Sequence, residues 1–104
     1  MLTCYEETRN FAAGGTDPSK QNVVAVHEKD WAAYKNKKIT LKLPSGVHTM
    51  DVRDYCDAKA PSCNQNLKAQ GNNFLIDINA LALKRLWPSK SCGSTFQTVQ
   101  FKPA

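Results

Sequence analysis

Asp54 in VHTMDVRDYCD and Asp77 in LIDINALALKRL stand at the ends of two apolar runs, with a polar, cysteine-bearing stretch between them. Strand ends hold side chains on rigid backbone. Two carboxylates placed that way accept protons from sugar hydroxyls, or work as acid and base across a glycosidic bond. Trp87, just before Pro88, offers an aromatic face on which a pyranose ring can stack, with packing as a helix-end aromatic as the alternative. Each acid also has a structural alternative. Asp77 precedes a helix start, which it can cap directly or through Asn79. Asp54 can pair with Arg53, Lys84 or Arg85, or shape the loop through an Asx turn.

The cysteines and histidines point away from metal chemistry. Cys56 and Cys63 have six residues between them, Cys4 and Cys92 lie far off in sequence, and His27 and His48 fall in strand-like runs. None of this is zinc spacing, so neither metal nor cofactor is expected. Four cysteines in 104 residues instead indicate disulfides and an oxidising compartment. Of the three pairings open to them, Cys56–Cys63 closing a local loop and Cys4–Cys92 clamping the termini is the favoured one.

The elements that must carry these residues are short. A strand around Thr3–Tyr5 is followed by a turn-rich stretch over 10–22, and Val23–His27 is a β-branched run that reads as a buried strand. EKDWAAYK opens with acids suited to a helix N-terminus and predicts a helix over 28–35, with Trp31 as a core plug. Ile39–Leu43, the turn Pro44-Ser45-Gly46 and Val47–Arg53 form a hairpin. Tyr55–Asn73 reads as a long surface loop, Phe74–Ile78 as a strand, 79–87 as a helix stopped by Pro88, and Thr95–Lys102 as the last strand with Val99 and Phe101 on one face. One domain over 1–104 is expected, mainly β and closed into a barrel to protect its edges. No apolar run approaches the ~18 residues of a spanning helix, and the reading expects a soluble monomer with a secretory peptide removed ahead of it.

In order and spacing, VVAVHEKDW, ITLKLPSGVHTMDVRDYCD, LIDINALALKRL and TFQTVQF resemble the double-psi β-barrel proteins: rare lipoprotein A-like domains, barwin, kiwellin, expansins and loosenins. The resemblance spans Thr3 to Phe101 and implies a single six-stranded double-psi β-barrel with two short helices. It also implies that Asp77 is the acid important to expansin-like domains and catalytic in related endoglucanases, that Asp54 is the acid before the loop cysteine, and that Tyr5 is the first-strand aromatic. The chain departs from that pattern in its longer loop, in Leu75-Ile76 ahead of the acid, and in four cysteines where barwin has six.

A net charge of +5 suits anionic surfaces, and Lys35, Lys37 and Lys38 read as a solvated turn with a polyanion site as the alternative. The expected function is a secreted protein that binds cell-wall polysaccharide without hydrolysis, through a groove lined by Tyr5, Asp54, Asp77 and Trp87. The competing expectation is an inhibitor of a secreted cysteine protease acting through loops 10–22 and 57–73. Glycan cleavage by Asp77 with Asp54 or Asp57 ranks third, and nucleic acid is not a favoured partner.

Overall fold

Val23–His27 forms β2, a strand buried along its whole length, and the rest of the sheet is arranged about it. The computed structural model describes residues 2–6, 11–57, 63, 65, 67–68, 74–92 and 100–103, the side chains of 100, 101 and 103 excepted. Among them are β1 (Leu2–Tyr5), β2, α1 (Glu28–Tyr34), β3 (Lys38–Leu43), β4 (Gly46–Cys56), β5 (Ile76–Asn79), α2 (Ala80–Leu86) and β6 (Gln100–Pro103). The strands make one mixed sheet in the order β1-β5-β2-β4-β3-β6. At its middle β5 and β2 run antiparallel, and each has a parallel partner on its other side: β1 on β5, β4 on β2.

One face of the sheet is the core. Leu2, Val24, Val26, Ile39, Leu41, Met50, Val52, Ile76 and Ile78 pack there with Ala82 and Leu83 of α2. Alternate residues in a strand point to opposite faces, so Thr3, Ala25, Asp77 and Asn79 are carried on the other side. Each helix starts directly from a strand. His27 Nδ1 accepts the Lys29 N–H at 3.1 Å to cap α1, and Asn79 Oδ1 accepts the Leu81 N–H at 3.0 Å to cap α2.

The expectation of a mainly β protein with two short helices holds, with α1 and α2 ending within one residue of the predicted bounds. Closure into a barrel needs β1 to pair with β6, and among the described residues the sheet ends at those two strands. The structure corrects the reading of Tyr55–Asn73 as loop. Strand β4 continues through Tyr55 and Cys56, while Cys63, Gln65, Leu67 and Lys68 are helical. Cys63 and Leu67, four apart on one helical face, are buried with Leu75 in a second small cluster against Cys56. The expected strand residues 95–99 and the side chain of Phe101 lie outside the described residues. No helix among those described is long and apolar enough to cross a membrane.

Two disulfides tie this frame together, Cys4–Cys92 and Cys56–Cys63, the pairing expected from the sequence. Their sequence separations, 88 and 7, set very different entropic effects on the unfolded chain. Chain-entropy arithmetic assigns about 4–5 kcal/mol to the long closure and about 2 kcal/mol to the short one. Denaturant titration of Cys4→Ala/Cys92→Ala should therefore show roughly twice the stability loss of Cys56→Ala/Cys63→Ala. The reverse ranking would show that the local bridge holds more native structure than its loop length accounts for.

Candidate functional site

Strand register places the two acids. Asp77 on β5 is paired with Thr3 on one side and with Ala25 on the other, and Ala25 is in turn paired with Asp54 on β4. One row therefore crosses four strands in the sequence Thr3, Asp77, Ala25, Asp54. With neighbouring strands about 4.8 Å apart, the acids stand about 10 Å apart at their Cα atoms. Only the methyl of Ala25 comes between them.

A bulge makes this row possible. Val52 pairs with Val24 and faces the core, so strict alternation would turn Asp54 to the core as well. The register between β2 and β4 shifts by one residue after Val24, and Arg53 is the extra residue. Asp54 is thereby turned out onto the face of Asp77. The Arg53 side chain then binds the crossing segment: its Nε donates to Thr16 Oγ1 at 3.0 Å, one Nη to the Gly14 carbonyl at 2.8 Å and the other to Asn36 Oδ1 at 2.6 Å. Asn36 sits at φ 59, a left-handed turn position that asparagine tolerates. The Ala13 N–H donates to the Arg53 carbonyl at 3.0 Å and the Ala12 N–H to Asp54 Oδ1 at 3.2 Å, so the 11–22 segment forms a wall beside the row. Arg85 of α2 holds the other end of that wall through Asn22, Pro18 and Gln21.

Asp77 is only 9 % exposed. Burial pushes its carboxyl up from 3.8 to about 6, the Thr3 hydroxyl donating to Oδ1 at 3.0 Å pulls the other way, and the nearby charge of Asp54 adds to the rise. It is thus an acid that changes charge in the mildly acidic range. It does not cap α2, because Asn79 does, and Arg53 and Arg85 spend their guanidinium groups on the 11–22 segment and Asn36 rather than on Asp54.

The structure brings Tyr5, Asp54 and Asp77 onto one face and leaves Trp87 off it. Tyr5 follows Thr3 by one pleat and meets the Phe11 ring edge-on at 6.5 Å, so the row has an aromatic end. Trp87 packs against the core cluster beyond α2, with Lys90 Nζ 5.2 Å from its ring centroid. Asp57 is exposed beyond the end of β4. Sequence reasoning missed Thr3, Phe11, Ala25 and Arg53. The alternation of β1 pointed to Thr3, while the bulge left no local signal. His48 bonds Ser45 Oγ through Nε2 at 2.7 Å. Ser45 gives its proton to the Leu86 carbonyl at 2.7 Å, so this pair ties the hairpin turn to α2 and is not an activated nucleophile. Among the described residues no group of three or more His, Cys, Asp or Glu gathers as a metal site.

Scanned against protein-family models, against curated proteins and against solved structures, the chain matches none.

The raised pKa of Asp77 makes a stability prediction with a definite sign. The folded state holds the proton more tightly than the unfolded state, so stability rises as pH falls from above 6 toward 3.8 and is lost again as pH rises through about 6. The full span corresponds to about 3 kcal/mol. Asp77→Asn keeps an acceptor for Thr3 and carries no charge. It should be more stable than wild type at pH 7 by about 1–3 kcal/mol, with the difference vanishing near pH 4, as read by urea denaturation across pH. A variant less stable than wild type at pH 7 would mean that the buried carboxylate is fully compensated.

Proposed function

We propose that this protein is secreted and binds cell-wall polysaccharide without hydrolysing it, with the row Thr3, Asp77, Ala25, Asp54 as the floor of its binding groove. The observation that carries the reading is the pair of acids facing across Ala25, one of them buried. Ala25 is itself buried, so a sugar would meet this row at its half-buried Asp54 end, where carboxylate oxygens can accept its hydroxyl protons, and Tyr5 with Phe11 supplies aromatic surface at the other end. Two disulfides in so short a chain support an oxidising, extracellular setting.

Binding is favoured over cleavage by what the acids already hold. Asp77 Oδ1 takes the Thr3 hydroxyl and Asp54 Oδ1 takes the Ala12 N–H, so both carboxyls share the task of fixing the groove floor. Hydrolysis needs one of them to deliver a proton and the other to activate water or attack. The similarity in order to double-psi β-barrel proteins supports the same reading. The braced 11–22 segment favours a second reading, inhibition of a cysteine protease by a rigid loop, because pre-organisation lowers the entropic cost of entering a cleft.

Retention on insoluble cellulose, chitin, peptidoglycan and pectin is the direct test. The wild type should be held by at least one of them, release no reducing sugar from it, and lose about tenfold in affinity on Asp54→Asn/Asp77→Asn substitution, which removes two charged hydrogen-bond acceptors. No retention on any of the four removes the glycan reading. Inhibition of papain at micromolar protein would move the assignment to the second.

A further inference from the structure

We infer that the outward face of β6, β3 and β4 is a second binding surface, electrostatic in character, that takes an acidic polysaccharide. Ile39, Leu41, Leu43, Met50 and Val52 face the core, so the residues between them on β3 and β4 point out. Register sets them in rows: Lys38 beside Asp51, Thr40 between Thr49 and Lys102, Lys42 beside Val47. The lysines of this face are all exposed, as are Thr49 and Val47. Lys38 is neutralised by an ion pair with Asp51. Lys42 and Lys102 have no acidic partner among the described residues, so the face carries uncompensated positive charge.

Spacing and chemistry select the kind of anion. Lys42 and Lys102 are diagonal neighbours across the β3–β6 pair, about 7–8 Å apart. Duplex DNA presents a charge about every 1.7 Å and calls for denser cations than these. The described side chains of the face include no arginine fork for phosphate and no ring for stacking bases. Widely spaced ammonium groups set among threonine hydroxyls instead suit a polymer with carboxylates on some of its sugars and hydroxyls on all of them. This inference rests on the polysaccharide reading above only for the class of polymer. Its residues are separate from the groove.

The test compares retention of the whole chain on polygalacturonate, on its methyl ester and on single-stranded DNA. The wild type should bind polygalacturonate more tightly than the uncharged ester and more tightly than DNA, and the excess should disappear near 1 M salt. Lys42→Gln/Lys102→Gln, with an unchanged melting temperature, should lose about tenfold on polygalacturonate and nothing on the ester, while Lys42→Arg/Lys102→Arg restores the excess. Equal binding of polygalacturonate by wild type and the glutamine variant overturns the inference, as does tighter binding of DNA. Asp54→Asn/Asp77→Asn separates the two surfaces: a salt-sensitive, lysine-dependent excess that persists in this variant supports the inference even where the ester is never held and the groove reading fails.

Discussion

The one-residue shift in the pairing of β2 with β4 is the constraint on which the rest of this structure depends. Without it Asp54 would turn inward among Val24, Val26 and Val52, where an ionised carboxylate has no place. With it, three consequences follow from one extra residue. Asp54 joins the row of Asp77, Tyr55 turns inward to meet Trp31 at 5.3 Å between ring centroids, and the Arg53 side chain is free to brace the 11–22 segment. A local irregularity of the ladder thus couples the core, the 11–22 segment and the row of acids.

The middle of the sheet explains why a carboxylate is tolerated beside the core. β5 and β2 are flanked on both sides by hydrogen-bonded partners, so their backbone is satisfied whatever their side chains do. Asp77 loses hydration by being there, and the Thr3 hydroxyl only partly offsets that loss, which is why its proton is held up to about 6. Clustered aliphatic residues and a long-range disulfide provide the stability against which such a locally unfavourable group can be maintained. Strain of this kind at one polar position in an otherwise consistent fold is where function is expected to lie.

The outward side of the sheet is divided by charge. Its β1-β5-β2-β4 portion carries the two acids beside the 11–22 segment, and its β4-β3-β6 portion carries exposed lysines with Thr49 exposed and Thr40 half-buried. Strand β4 belongs to both, with Val47, Thr49 and Asp51 ahead of the bulge on the basic side and Asp54 after it on the acidic side. One long strand with one bulge therefore carries a largely buried row of acids and an exposed basic face. The near-cancelled Lys38–Asp51 pair lies where they meet.

Much of the fold was legible residue by residue. The β-branched run of β2, the turn at Pro44-Ser45-Gly46, the capping by Asn79 and the stop at Pro88 are local, and local propensity with periodicity determines them. The clamp of Cys4 to Cys92 was favoured among the three possible pairings because it leaves Cys56 and Cys63 to close a short local loop. The helical stretch around Cys63 and Leu67 was hidden by proline, glycine and amides, although its four-residue apolar spacing was present. What only the tertiary structure decided is which residues meet across strands. That Ala25, and no larger side chain, separates Asp54 from Asp77 depends on a register shift, and that Trp87 belongs to the core side depends on how α2 returns from β5. Strand register is set by non-local packing and turn geometry, so a sequence read along its length names the acids but cannot place them opposite one another.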